Sequence, residues 1–415
     1  MTEDDRRLRV VVTGDNHLSQ RLGRLSPTHA QQRRERLRDA FAAVVTAAIE
    51  RKADIFIQAG DLFDVPNPEN RDRAFVAEQF MRLKAAQIAT YAVSGNHDNP
   101  RQSITQGGVA PLAIYQEVNA VHYFPDAQVI TPESLTLSNG LAIAIGGISN
   151  DPGRKSGEDP LAEVALNDTS GVIAHADIGI LIVHAAIEGA LVGPDECVIS
   201  EASIRALQGF QVVVTGHIHR YQHRHIGSVD VIVCGPSERM DFGDPPDAPG
   251  YAWLEIGASG LLRHEHVRLP AQPRHTEHIA TLDIWPPDAP LDGAAERIIR
   301  RMEPWGKPDT MVRVILEGEL TRPQYQALDM RCILTWGQEH CFSFELRDRD
   351  LRLPDDARMV GGDEVMRGER VDPRAVLADL FTAQIAASDD LADADLWQGT
   401  QHAVLHQFDT LRADE

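Results

Sequence analysis

The sequence predicts an α/β protein on three observations. Short β-branched runs recur through the first 270 residues, each is apolar almost throughout, and helical periodicity fills several of the gaps between them. The runs are LRVVVTG (8–14), DIFIQAG (54–60), ATYAVSG (89–95), LAIAIGG (141–147), IGILIVH (178–184), QVVVTGH (211–217), VDVIVCG (229–235) and YAWLEIG (251–257). A strand with one wet face alternates apolar and polar residues; these do not alternate, so they belong to sheets covered on both faces. Between the first two, ERLRDAFAAVVTAAIERK (35–52) repeats apolar residues at helical spacing, and RAFVAEQFMRLKAAQ (73–87) does the same before the third. The early chain therefore reads strand, helix, strand, helix, strand.

Near Pro270, in LPAQPRHTEH, the pattern changes, and the expected domain boundary falls there. Strand candidates follow at HIATLDIW (278–285), MVRVILEGEL (311–320), CILTW (332–336) and CFSFELRD (341–348), with helices near 291–303 and 322–331, which makes a small α+β domain over 271–352. From residue 353 to 415 the chain turns acidic, with a helical pattern at 373–387 whose Val376, Leu377, Leu380, Phe381 and Ile385 share one stripe. From Arg352 to Glu415 there are 14 acidic and 6 basic residues, a net of −8 out of −22. This tail reads as a partner-docking appendage. No internal repeat or low-complexity tract interrupts the chain.

Composition excludes several classes. With 43% hydrophobic and 25% charged residues, the 415-residue chain is neither collagenous nor wholly disordered. No stretch approaches the roughly 20 apolar residues of a spanning helix, and MTEDDRRLRV is charged where a signal peptide is apolar, so a cytoplasmic protein with no membrane partner is expected. Cys197, Cys234, Cys332 and Cys341 form no CxxC pair and are expected to be buried thiols rather than bridges or a zinc knuckle. The charge of −22 argues against a general nucleic-acid coat protein. It leaves DNA open as a substrate, held by a local basic groove or a cationic partner.

The chemistry stands at the ends of the runs. Five of them close on residues able to bind metal: Asp15 and His17 in TGDNH, Asp61 in AGDLFD, Asn96 and His97 in SGNHD, His184 in LIVHA, and His217 and His219 in TGHIH. Parallel strands share an edge at their carboxyl ends, so residues spread over more than 200 positions can meet there. Carboxylate, amide and imidazole together suit Mn²⁺, Fe²⁺ or Zn²⁺ better than Mg²⁺.

In order and spacing, D-x-H, G-D-x-x-D, G-N-H-D, a strand-terminal His and G-H-x-H resemble the calcineurin-like metallophosphoesterase superfamily. The resemblance implies a two-sheet sandwich flanked by helices. It also implies one cation on Asp15, His17 and His219, a second on Asn96, His184 and His217, and Asp61 bridging them. It makes His97 the histidine that meets the phosphate or protonates the leaving oxygen, with Asp64 placed to orient it. Within the superfamily, GDLFDVPNPENR, SGNHDNP, CGPSERMDFGD and VRVILEGEL resemble SbcD, the nuclease subunit of the bacterial SbcCD repair complex. That branch implies Mn²⁺, exonuclease and endonuclease action on DNA ends and hairpins, an SbcC-type coiled-coil ATPase partner, and a homodimer.

Two other functions use the same residues: a small-substrate phosphodiesterase acting on cyclic nucleotides or nucleotide sugars, and a non-catalytic scaffold. Each residue also has a plain structural reading. A strand-end Asp can cap a helix, Asn96 can be a turn residue, and a single histidine can be a satisfied core residue. Arg33, Arg34, Arg36 and Arg38 read as a charged helix face before a DNA contact. Arg220, His223, Arg224 and His225 read equally as a solvated loop or a phosphate contact. Phe75, Phe80 and Leu83 read as core or as a dimer face.

Overall fold

A computed structural model describes residues 6–20, 25–100, 108–155, 157–190, 193 and 196–352, together with 378, 381–382, 397–398, 400–401 and 404. The acidic tail and its stripe at 373–387 lie almost entirely outside the described residues. Contacts divide the chain into two compact units. One is Met1–His278, Glu296–Ile315 and Met330–Arg347; the other is Ile279–Ala295, Leu316–Asp329 and Asp348–Glu415.

The first unit holds two six-stranded mixed sheets. In the first, Leu8–Thr13 pairs in parallel with Ile55–Ala59, which pairs in parallel with Ala89–Val93, while Gly250–Gly257 runs antiparallel on the other side. In the second, Val212–Thr215 sits between Ile178–Val183 and Val229–Val233, parallel to both, and Ala142–Gly147 adds a further parallel strand. All eight apolar runs of the first 270 residues are strands.

Alternate side chains explain why the runs are apolar throughout. Val10, Val12, Ile55, Ile57 and Val93 of the first sheet meet Ile143, Ile145, Ile180, Ile182, Val212 and Val214 of the second in one buried cluster. The opposite face of the first sheet, with Val11, Phe56, Ala92 and Trp253, is covered by Leu37, Phe41, Val45, Phe80 and Leu83. Those residues come from helix α1 (Pro27–Glu50) and helix α2 (Asn70–Ala85). The outer face of the second sheet, with Leu181, Val183, Val213 and Val231, is covered by Ile199, Ile204 and Phe210. The α/β sandwich with flanking helices is thus the observed fold. Among the described residues, no helix is long and apolar enough to cross a membrane.

Helix α1 begins eight residues before the expected start, with Ser26 accepting the His29 amide and Pro27 at its first position. Its arginines are tied down rather than displayed. Arg33 is buried and donates to Gln272, Arg38 is buried against Asp72, Arg34 pairs with Glu69 and Arg36 with Asp309. Phe80 and Leu83 are core and Phe75 packs against it; Met81 is exposed beside them, as are Ile114 and Val118 around helix α3 (Ala113–Glu117).

Beyond Pro270 two elements differ from expectation. CILTW is not a strand but the middle of a helix, Met330–His340, because Ile333 and Gly337, four residues apart, turn inward while Leu334 stays exposed. Residues 278–285 are divided: the strand is Arg274–Ala280, and Thr281–Ile284 is one helical turn. Strands Met311–Glu319 and Ser343–Arg352 complete a three-stranded sheet. Of the cysteines, Cys234 and Cys341 are buried, whereas Cys197 is half-buried and Cys332 exposed. A short thiol side chain takes whatever burial its element gives it.

Candidate metal centre

The motif residues meet. Asp15 and His17 follow Leu8–Thr13, Asp61 follows Ile55–Ala59, Asn96 and His97 follow Ala89–Val93, His184 follows Ile178–Val183, and His217 and His219 follow Val212–Thr215. These carboxyl ends fall at one edge of the sandwich. Ligand atoms of Asp15, His17 and His219 lie within 4.8 Å of one another, as do those of Asp15, Asp61 and His184 and those of His17, Asp61 and His97.

The chain turns sharply to achieve this. Asp15, His17, Asp61 and His217 have φ of 48°, 46°, 51° and 76°, a left-handed conformation that costs free energy outside glycine. The loops clamp one another, since the Asp15 amide donates to the Gly60 carbonyl (3.1 Å) and the His17 amide to that of Asp61 (3.0 Å). Two glycines leave the required space. A Cβ on Gly60 would stand 2.2 Å from His184 Nδ1, and one on Gly95 would stand 2.1 Å from Asp61 Oδ1. The glycines before Asp61 and Asn96 are therefore dictated by the neighbouring ligand.

Hydrogen bonds on the far side aim each ring. His184 Nδ1 lies 2.8 Å from the Ala59 carbonyl, which can only accept, so that nitrogen carries the proton. Its Nε2 faces Asn96 Oδ1 at 3.1 Å and Asp61 Oδ2 at 3.2 Å. His17 turns Nδ1 to Asp64 Oδ1 (3.0 Å), and His219 turns Nδ1 to Asp244 Oδ1 (2.7 Å). His217 is reversed: its Nε2 is held by Glu196 (2.9 Å) and its Nδ1 faces Asn96 Oδ1 (3.1 Å). Outer carboxylates and carbonyls that fix a ring in this way are the usual second layer of a metal site.

His17 Nε2 and Asp15 Oδ2 are buried and lack any hydrogen-bond partner among the described residues. Unpartnered buried polar atoms are costly, and two within one group of possible ligands call for a cation. The donor set fits divalent metal. Asp15, His17, Asp61 and His219 would hold one ion; Asp61, Asn96, His184 and His217 would hold the other.

Charge agrees with this arrangement. Burial alone would raise the Asp61 carboxyl, but His184, His17 and His97 hold it well below the ordinary range. Burial would lower His184, yet Asp61 and Asp15 push it up to about 10. His219, against the same penalty, is pushed up to about 9 by Asp244 and Asp15, and His17 is raised by Asp64 and Asp61. His217 is lowered by burial and by its neighbour His184. The acids here draw positive charge inward.

His97 differs from the others. Its ring is exposed, it stands edge-on to His17 at 4.7 Å, and its Nδ1 is 3.2 Å from the Asp64 carbonyl, a contact that does not engage Nε2. Asp64 Oδ1 lies 3.6 Å from His97 and nearer to His17, so this carboxylate serves His17 first. Sequence reasoning assigned no role to three residues. Asp98 is buried and accepts from the Gly95, Leu62 and Phe63 amides, joining two motif loops; burial and Asp61 raise its pKa to about 7. Its signal was present, as the last letter of GNHD. Asp244 closes the quoted CGPSERMDFGD, whereas Glu196 stands in no motif.

A family model described as calcineurin-like phosphoesterase matches residues 8–221, just over half the chain and all of the motif residues. The chain belongs to the calcineurin-like phosphoesterase family. Among curated proteins it is similar to the "DNA double-strand break repair protein Mre11" of Halobacterium salinarum, 26% identical over 93% of this chain and 96% of that protein. The Haloferax volcanii protein of the same name is 26% identical over 75% of this chain and 62% of its own length. The Thermoplasma acidophilum one is 30% identical over 47% and 49%. The chain thus spans between about a third and two thirds of several of these relatives (37% of the Methanosarcina mazei protein) and nearly the full length of one. These named relatives are archaeal Mre11 proteins rather than bacterial SbcD. Among solved structures, the calcineurin-like phosphoesterase YfkN from Bacillus subtilis covers 60% of this chain at 13% identity, with a TM-score of 0.33.

Proposed function

We propose that this phosphoesterase is a DNA nuclease that cleaves phosphodiester bonds with two divalent cations, Mn²⁺ in preference to Mg²⁺, at DNA ends and hairpins. The observation that carries the reading is the pair of buried, unpartnered ligand atoms, Asp15 Oδ2 and His17 Nε2, beside the Asp61 carboxylate. Cations held by these residues would supply positive charge to the scissile phosphate and would lower the pKa of a bound water. Asp61 lies between the two ligand groups and holds them in register. His97 donates a proton to the leaving oxygen from Nε2, since a histidine is the group that gives one up near neutral pH. Asp64 holds the His17 ring and limits the swing of His97. The name that the relatives carry supports DNA as the substrate. The finer expectations rest on the sequence pattern and on the SbcD resemblance: a nuclease domain to about residue 270, a capping domain to 352, and a tail that docks an SbcC-type ATPase.

Neither basic stretch singled out in the sequence presents unpaired cations among the described residues. The arginines of α1 are paired internally, and in the HRYQHRH stretch Arg220 pairs with Asp247, Arg224 with Glu201, and both His223 and His225 with Asp230. The duplex backbone would be met by the metals themselves and by a cationic partner. A homodimer would use the apolar residues exposed on and beside α2 and α3, with Met81, Ile114 and Val118 in place of the buried Phe80 and Leu83.

The test is cleavage of linear and circular duplex DNA by the purified full chain, with Mn²⁺ and Mg²⁺ compared. Mn²⁺-dependent cutting favouring the linear form is expected. Hydrolysis of a small diester with no action on either DNA would replace this reading with the small-substrate one.

A further inference from the structure

Between Val233 and Gly250 the chain runs through GPSERMDFGDPPD (235–247) with no strand or helix, so its carbonyls need partners from elsewhere. Guanidinium groups supply them. Arg33 donates to the Arg239 carbonyl, Arg239 to the Pro246 carbonyl (3.0 Å), and Arg274 to the carbonyls of Asp241, Asp244 and Pro245, the last at 2.8 Å. Arg313 lies over the Phe242 ring, 4.2 Å from its centroid. The segment is irregular but held at many points.

Within it, Asp244 has a nearly buried side chain (6% exposed) that faces two ways. One oxygen accepts from His219 Nδ1 at 2.7 Å; the other accepts from the Met240 and Asp241 amides. Arg274, on the strand Arg274–Ala280, grips the backbone of the same residue. A continuous line of hydrogen bonds therefore runs from Arg274 through Asp244 to the ring of His219. Both residues lie beyond the segment 8–221 that the family model matches.

We infer that Asp244 and Arg274 are positioning residues that set the orientation of His219, and so the affinity of the cation position shared with Asp15 and His17. The inference rests on the cation-binding reading of the centre. Its consequence is that the chain after residue 270 governs one of the two metal positions. A displacement of the strand at Arg274 would be felt at His219, while His184, anchored on the Ala59 carbonyl, would be untouched.

The experiment is Mn²⁺ titration of the full chain by calorimetry, for the wild type, Asp244→Asn, Arg274→Ala and Arg274→Lys, with melting temperatures recorded. An amide has one acceptor oxygen, so Asp244→Asn must release either His219 or the loop amides. We expect it to weaken one of two binding steps by 10- to 100-fold, the usual effect of losing an outer-layer partner, and Arg274→Ala to weaken the same step by about tenfold. Arg274→Lys recovers part of this loss, and the other step holds throughout. Unchanged steps, or equal weakening of both in proportion to a fall in melting temperature, would overturn the inference. Should the wild type bind no metal, the cation reading fails instead. The His219 Nδ1–H signal in proton NMR of the metal-free chain then decides: displacement in both Asp244→Asn and Arg274→Ala sustains the positioning role, and an unmoved signal ends it.

Discussion

The strand ends of the sandwich and the helix Met330–His340 place polar and apolar residues by opposite rules. On the inner face of the helix the choices answer to packing: Ile333 and Gly337 turn inward, the Phe344 ring fills the place where a Gly337 side chain would be, and Trp336 stacks on His340 at 5.0 Å. At the strand ends the choices work against stability. Asp15, His17, Asp61 and His217 hold a left-handed backbone, and two buried ligand atoms go unpaired. Strain and unpaired polarity gathered at one spot are retained for a function.

The difference can be broken from either side. The largest effect is expected for Asp61→Asn, since one carboxylate is asked to serve both cations and an amide lacks its charge. We expect bound metal to fall from two per chain to one or none and DNA cleavage to drop by about 10³-fold or more, consistent with losing several kcal/mol of transition-state stabilisation. Full occupancy and activity in this variant would remove Asp61 from the bridge.

His97→Ala separates chemistry from binding within the site. Turnover should fall by about 10²- to 10⁴-fold, the contribution of a positioned general acid, with both metals kept. A matching loss of metal would make His97 a ligand, a role that its proximity to His17 and Asp61 also permits.

The same contrast explains what could be read from sequence. The eight apolar runs were legible because burial on both faces leaves no room for polar residues, and the motif residues were legible because a His or Asp ending such a run has no packing reason to be there. CILTW was misread because a five-residue run with four apolar residues fits a strand or a helix equally well, and only the inward turn of Ile333 and Gly337 decides. Asp244 and Glu196 could not be assigned because their role lies in reaching a ring more than twenty residues away in sequence, which no local pattern records. Arg33 and Arg38, read as a charged face, are buried on partners that are likewise distant.

On the packing side, Gly337→Ala puts a Cβ about 2.1 Å from the Phe344 ring. It should destabilise the protein by about 1–3 kcal/mol, the range for overpacking, and leave metal stoichiometry unchanged. Chemical denaturation beside a metal assay checks it, and a loss of metal would show that the two regions are not independent.

The smallest effect is on protons. In the metal-free chain, His184 and His219 are pushed up to about 10 and 9, so both carry protons at pH 7 that metal must displace. Apparent affinity should rise with pH from about 7 until those values are passed, with protons released on binding. Calorimetry in buffers of different ionisation enthalpy reads the release directly, and none would mean that these rings are not ligands.

The account turns on seven side chains forming one centre for two ions. Anomalous scattering from crystals grown with Mn²⁺ tests this most directly. Two peaks are predicted, one among Asp15, His17, Asp61 and His219 and the other among Asp61, Asn96, His184 and His217, with the His97 ring coordinating neither. A single peak, or one in which His97 takes the place of His217 or His219, would contradict it.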